Sequence, residues 1–189
     1  MVMDLYWGIS LVDVDKDLSE TIEGINEMSD LGNTGVKWMQ VYENDPGLSS
    51  FGIVSMIDES KVNMESGLDL FIHDLSKELN DIFYNSAVEY CSKYSVELKE
   101  FETFHFTKNR PDSLERNYYD AAGVNFSKRV TFRYFINDNY EGGEITFPKY
   151  GISIKPKAGQ LLMFPSSFMY NYIEKPILNG VKYQAVAWQ

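Results

Sequence analysis

Hydrophobic and polar residues alternate along much of the second half of the chain, which is the pattern of β-strands. Between Val130 and Ile136 every second residue is apolar or aromatic, so successive side chains point to opposite faces. Four more strands are predicted at residues 144–147, 152–154, 161–164 and 181–188. Turn signals separate them at Asn137-Asp138, at Gly142-Gly143 and at a hairpin over residues 157–160. Such short, closely spaced strands indicate an antiparallel sandwich, barrel or jelly roll.

The first half mixes strand and helix patterns. In chain order the predicted elements are a strand over residues 1–14, a helix capped by Asp17 and ended by residues 30–35, a strand from Val36, a turn at Asp45-Pro46-Gly47 and a strand through Phe51, Ile53 and Ile57. We expect these strands to be scaffold.

A long helix is predicted from Gly67 to Tyr94, with Ser66 as its N-cap and Asp69 in its first turn. Its apolar residues recur at helical spacing and form one stripe, which we expect to pack against the outside of the strands. The stripe consists of Leu68, Phe71, Ile72, Leu75, Leu79, Ile82, Phe83, Ala87 and Cys91.

The chain contains two histidines and one cysteine. His73 lies beside the helical stripe, where a packing role is expected. His105 lies in an alternating segment, residues 101–107, and either faces into the barrel or belongs to its surface. Cys91 is expected to be a small buried hydrophobe, because no basic group lies near it in sequence to lower its pKa.

Composition fits one globular domain over residues 1–189, with 44% hydrophobic residues to build a core. The formal net charge of −11 and the absence of a Lys/Arg cluster argue against nucleic-acid binding. A single cysteine excludes an internal disulfide. No segment reads as a signal peptide or membrane span, so cytoplasmic synthesis is expected.

One family is indicated by the second half of the chain. The run RVTFRYFINDNYEGGEITFPKYGISIKPKAGQLLMFPSSF, followed by KPILNGVKYQAVAW, resembles the core of prolyl-4-hydroxylase-like 2-oxoglutarate and Fe(II)-dependent oxygenases, including those of bacteriophages. The first half matches only as a general pattern of an early helix and a long supporting helix. The resemblance implies a mainly β, α+β fold: a double-stranded β-helix (a cupin-like jelly roll) over residues 101–189, supported by residues 1–100.

The resemblance also assigns the metal ligands, and here the chain departs from the family. Such enzymes hold Fe(II) by a His-x-Asp pair and a distal His, the two-histidine, one-carboxylate facial triad. Alignment on the flanking motifs places Tyr118 and Asp120 at the pair and Tyr172 at the distal position. Neither His73 nor His105 falls on these positions.

Phenol is a poor replacement for imidazole at a ferrous site. Neutral imidazole offers a lone pair at pH 7, whereas phenol, with an ordinary pKa of about 10, must first lose its proton. Tyrosinate does ligate iron in some haem proteins. We expect it to favour ferric iron, so a Tyr118, Asp120 and Tyr172 set would hinder oxygen activation.

Three positions concern the cosubstrate. The resemblance places Lys182 where a basic residue pairs with the distal carboxylate of 2-oxoglutarate. Tyr134 either adds a hydroxyl from the opposite wall or is a core tyrosine. A tyrosine that helps to hold the oxoacid is replaced by Asn109. If Lys182 faces inward, its ammonium needs a bound dicarboxylate or an internal acid; the alternative is a solvated Lys182 with Val181 and Tyr183 inside.

Two functions from different classes follow. The first is a catalytically degenerate oxygenase-fold protein that needs neither iron nor 2-oxoglutarate. It would act as a structural or binding module with protein partners, in a phage particle, through Tyr118, Tyr119, Tyr170 and Tyr172. The second is an active 2-oxoglutarate-dependent dioxygenase with Tyr118, Asp120 and Tyr172 as unusual Fe(II) ligands. In a third possibility the pocket binds a dicarboxylate without chemistry.

Overall fold

A computed structural model describes residues 2–14, 16–31, 36–54, 59–63, 65–101, 103–121 and 127–189. This part of the chain contains two α-helices, α1 (Ser19–Asp30) and α2 (Gly67–Tyr94). Its strands are β1 (Val2–Tyr6), β2 (Ile9–Asp13), β3 (Met39–Tyr42), β4 (Asp45–Val54), β5 (Thr103–Asn109), β6 (Arg116–Tyr118), β7 (Val130–Phe135), β8 (Glu141–Gly142), β9 (Ile145–Phe147), β10 (Ile152–Ile154), β11 (Gln160–Pro165), β12 (Tyr172–Glu174), β13 (Ile177–Asn179) and β14 (Lys182–Trp188).

Two antiparallel sheets form the body of the described fold, a jelly roll of the double-stranded β-helix type. The larger sheet has the strand order β1-β2-β11-β7-β14-β5-β4-β3, and the smaller has the order β10-β9-β12-β6. A short ribbon pairs β13 with β8. The mainly β, jelly-roll fold predicted from the sequence is therefore confirmed.

Helix α2 covers the outer face of the larger sheet, as predicted. The Ser66 hydroxyl accepts a hydrogen bond from the Asp69 amide and caps the helix. The stripe residues from Leu75 onward are buried, and Phe83 contacts the Phe104 ring with a centroid distance of 5.5 Å. None of the helices in the described residues is long and apolar enough to cross a membrane.

Strand β7 lies at the centre of the larger sheet and has both faces buried. Val130, Phe132 and Tyr134 pack in the core under α2. Thr131, Arg133 and Phe135 therefore point the other way, into the space between the two sheets. This inner face holds the candidate site.

The N-terminal prediction of a single strand over residues 1–14 is wrong. The chain forms the hairpin of β1 and β2, which turns at Trp7-Gly8. Gly8 has φ of +79°, a left-handed conformation that glycine adopts without steric cost. Helix α1 begins at Ser19, and Asp17 accepts a hydrogen bond from the Ser19 amide from two residues before that start. Asp17 is thus not the N-cap.

The predicted turn at Asp45-Pro46-Gly47 is also wrong, since these residues open strand β4 and the turn lies at Glu43-Asn44. Gly47 serves a different purpose there: a Cβ at this position would collide with the backbone of Ser113. The predicted end of this strand, Ile57, lies outside the described residues.

The segment over residues 157–160 turns as predicted, but it does not form a hairpin. Strand β10 pairs with β9 in the smaller sheet, whereas β11 pairs with β2 and β7 in the larger one. The turn therefore carries the chain from one sheet to the other, a connection typical of jelly rolls.

Candidate functional site

The three positions assigned to the metal meet between the sheets. Strands β6 and β12 pair so that Tyr118 lies directly opposite Tyr172, and the two ring centroids are 4.5 Å apart. The Tyr172 hydroxyl donates to Asp120 at 3.1 Å, and the Thr131 hydroxyl donates to the same carboxylate at 2.8 Å. Sequence alignment thus brought together residues that are neighbours in the structure.

Arg133 lies among these three residues and was not identified from the sequence. Its Nη2 donates to the hydroxyl oxygens of both Tyr118 and Tyr172, each at 2.8 Å. The guanidinium is 4.8 Å from the centroid of the Tyr172 ring and is buried. A positive charge therefore occupies the place toward which the assigned ligand positions point.

Glu174 lies on the same face of β12 as Tyr172 and is a second site residue that was not identified from the sequence. It is 3% exposed, and its carboxylate reaches across to the larger sheet. Five side chains donate hydrogen bonds to it: Lys182, Arg133, Tyr118, Gln184 and Asn109.

Lys182 faces inward and is fully buried. Its ammonium donates to Glu174 at 2.9 Å and to the Gly143 carbonyl at 2.9 Å. Of the two anions that an inward lysine was expected to require, a dicarboxylate or an internal acid, the chain supplies the internal acid. Lys182 shares the inner face of β14 with Gln184.

Tyr134 does not join the other candidate residues. It lies on the outer face of β7, packs in the core under α2 and donates a hydrogen bond to the Lys16 carbonyl. Because strand residues alternate between faces, Tyr134 cannot share the interior with Arg133. Of the two roles considered for Tyr134, this placement agrees with the core tyrosine and not with the oxoacid pocket.

The remaining residues singled out from the sequence lie as follows. His105 faces the inner side of β5 and packs against the Trp188 ring at a centroid distance of 5.3 Å, where both line a surface cleft of about 330 Å³. His73 is on α2, 3.2 Å from Asp74. Cys91 is buried, and burial raises the pKa of its thiol. Asn109 is buried beside Glu174.

The electrostatics of the site favour protonated phenols and an ionised Glu174. Burial raises the pKa of Tyr118 and of Tyr172 well above the ordinary value, although Arg133 opposes the shift. Burial also acts to raise the pKa of Glu174, but Lys182 and Arg133 outweigh it and lower that pKa well below its usual range. Burial lowers the pKa of Lys182, which Glu174 partly offsets.

These residues do not fit a ferrous ion. No imidazole reaches the site, both phenols hold their protons, and the Asp120 carboxylate already accepts hydrogen bonds from Tyr172 and Thr131. Across the described residues, no group of three or more His, Cys, Asp or Glu side chains is arranged to hold a metal ion. The donor set is that of a closed hydrogen-bond network.

No protein-family model matches the sequence, and no curated protein is detectably similar to it. Solved structures are similar in fold. A prolyl-4-hydroxylase from Pseudomonas putida matches with a TM-score of 0.64 at 15% identity, over 96% of this chain and 91% of that one.

Two further structures match 96% of this chain. A viral collagen prolyl hydroxylase from Paramecium Bursaria Chlorella virus-1 has a TM-score of 0.59 at 19% identity over 94% of its length. A Trichoplax adhaerens prolyl hydroxylase has a TM-score of 0.63 at 18% identity over 82% of its length. The chain therefore has the fold that these prolyl hydroxylases share.

Proposed function

We propose that this chain is a non-catalytic structural or binding protein built on the oxygenase fold, and that it uses neither Fe(II) nor 2-oxoglutarate. The observation that carries the proposal is the Arg133 guanidinium, 2.8 Å from both tyrosine hydroxyls at the assigned ligand positions. A protein cation there takes the place of a metal cation.

Electrostatics gives the size of this obstacle. Two unit charges about 4 Å apart interact by about 4 kcal/mol at an effective dielectric constant of about 20, and a divalent ion roughly doubles that repulsion. Expelling Arg133 instead would strip Glu174 and two phenols of a donor inside the protein. Iron binding is therefore unfavourable both beside Arg133 and after displacement of Arg133.

An exposed aromatic patch supports the binding role. It consists of the exposed Tyr6, Trp7, Phe168 and Met169 and the half-buried Tyr150, and Trp7 and Phe168 are 77% and 67% exposed. The Tyr6 and Tyr150 rings lie 4.6 Å apart, and the Tyr150 hydroxyl donates to the Met169 carbonyl. Exposed apolar patches of this kind often mark interaction sites.

The aromatic patch replaces the tyrosine surface expected from the sequence. Tyr172 is fully buried, and Tyr170 is 9% exposed, with its hydroxyl donating to the Trp7 carbonyl. Tyr118 is held by Arg133 and Glu174. Tyr170 and Tyr172 are therefore withdrawn from the surface, whereas Tyr118 and Tyr119 are each partly exposed.

We further propose that the partner of the aromatic patch is a protein of a phage particle, because the sequence resembles phage-encoded members of the family. Mass spectrometry of purified particles is expected to find the chain, and Trp7→Ser with Phe168→Ser is expected to remove it from them. The control is Leu178→Ser, at a residue that is 72% exposed on β13 and outside the patch. Absence of the wild-type chain from particles would end the virion role and leave the non-catalytic assignment intact.

Metal analysis and turnover test the non-catalytic assignment. After anaerobic incubation with Fe(II) and desalting, we expect far less than one iron per chain and no succinate from 2-oxoglutarate. A bona fide prolyl hydroxylase treated identically serves as the positive control. Stoichiometric iron with succinate formation would contradict the assignment and favour the active dioxygenase with Tyr118, Asp120 and Tyr172 as candidate ligands.

A further inference from the structure

The two oxygens of the Glu174 carboxylate are divided between two sets of donors. Oε1 accepts from Lys182 at 2.9 Å, from Gln184 at 3.2 Å and from Asn109 at 3.3 Å. Oε2 accepts from Arg133 at 2.9 Å and from Tyr118 at 3.1 Å. Five donors saturate the roughly four lone-pair sites that a carboxylate offers.

Most of these donors do not belong to the sheet that carries Glu174. Asn109, Arg133, Lys182 and Gln184 extend from β5, β7 and β14 of the larger sheet, whereas Glu174 extends from β12 of the smaller one. These four side chains form a cradle around the carboxylate. Backbone pairing within the larger sheet holds the cradle's strands together, and Glu174 takes no part in that pairing. The strands of the cradle therefore stay paired when Glu174 is shortened.

The two amides in the cradle are oriented for an anion. Asn109 and Gln184 both turn their NH₂ groups toward the carboxylate, and their side-chain oxygens are buried without a hydrogen-bond partner among the described residues. Together with two buried cations, these amides would be left facing an empty space if the carboxylate were absent. Buried charges in that condition require a counter-ion.

We infer that Lys182, Arg133, Asn109 and Gln184 form a carboxylate-binding site that the chain fills with its own Glu174, and that a small free carboxylate binds there once this side chain is removed. The inference deepens the proposed function, on which it rests, because a self-occupied site excludes any carboxylate cosubstrate. The ligand class is a small monocarboxylate, since the space released is that of one glutamate side chain.

Acetate is the probe, because it has the same heavy atoms as the glutamate side chain beyond Cβ. Thermal unfolding of Glu174→Ala is measured in graded acetate, with chloride at equal ionic strength as the control for screening. Binding to the folded state alone stabilises by RT ln(1 + [L]/Kd), so acetate at about ten times its Kd raises the folded-to-unfolded ratio about tenfold. Wild type and Glu174→Gln, in which the space stays filled, are expected to show no acetate-specific shift.

A second variant tests the cradle itself. Glu174→Ala combined with Lys182→Met removes one of the two cations, and the acetate response is expected to fall at least tenfold in apparent affinity. If Glu174→Ala is unfolded in chloride, the readout is its refolded fraction as acetate increases. No acetate-specific gain in either readout would overturn the inference. That result would leave the proposed function untouched, because the proposed function is tested separately by the iron content and succinate formation of the wild-type protein.

Discussion

Arg133→Ala is expected to lower the free energy of unfolding by about 3–5 kcal/mol, the usual cost of removing one partner of a buried ion pair. The substitution leaves Glu174 with one of its two cations and deprives the Tyr118 and Tyr172 hydroxyls of a shared donor. Urea denaturation followed by circular dichroism measures the loss. It would be a large fraction of the stability of a protein of this size.

Arg129→Ala is the matched control, since Arg129 lies four residues earlier and its ion pair with Glu97 is exposed. A surface pair of this kind contributes under about 1 kcal/mol. Equal losses for the two variants would mean that Arg133 is not buried against Glu174 in the protein.

Restoring histidine at the assigned ligand positions is not expected to restore an iron site. Tyr118→His with Tyr172→His supplies the missing imidazoles, but Arg133 remains beside them and opposes a divalent cation. We expect Fe(II), or Co(II) as an air-stable substitute, to bind at least about tenfold more tightly when Arg133→Gln is added. Substitutions of residues that contact a metal's ligands commonly change metal affinity by about 10- to 100-fold. Anaerobic calorimetry measures both affinities.

The control for this series carries phenylalanine in place of both histidines, together with Arg133→Gln. It keeps Asp120 and Glu174 but lacks imidazole, so weak or undetectable binding is expected. Tight metal binding by the double histidine variant with Arg133 intact would show that the guanidinium is no obstacle.

Local patterns predicted most of the elements but not the partners of several strands. Alternation located β5, β7 and β14, and capping located α2 from Ser66. The errors arose where tertiary contacts decide. Gly47 follows proline in a sequence typical of a turn, yet it is a strand residue that allows the Ser113 backbone to approach closely.

The site was predicted only in part, because some of its contacts join residues that are distant in the sequence. Family motifs placed Tyr118, Asp120 and Tyr172, and the cost of a buried ammonium required an acid for Lys182. Nothing in the linear sequence identified that acid as Glu174, because the pair spans two sheets. An available signal was the alternation in β7, which turns Arg133 inward whenever Phe132 and Tyr134 face the helix.

The same alternation explains why Tyr134 is a core tyrosine and does not reach the pocket. It neighbours Arg133 in sequence, yet it lies on the opposite face of β7 and under α2. Face assignment, rather than motif matching, decides which of two adjacent residues reaches the interior. The exposed patch around Trp7 was missed because it depends on the hairpin of β1 and β2, which had been predicted as a single strand.

The protein's own charges, Arg133 and Glu174, occupy the interior that iron and 2-oxoglutarate would need. Crystals grown with Mn(II) and 2-oxoglutarate, examined by anomalous scattering at the manganese edge, test this arrangement most directly. We expect no manganese peak near Asp120, and we expect Glu174 in contact with both Lys182 and Arg133. A manganese ion bound by Tyr118, Asp120 and Tyr172, with 2-oxoglutarate on Lys182 and Glu174 displaced, would contradict it.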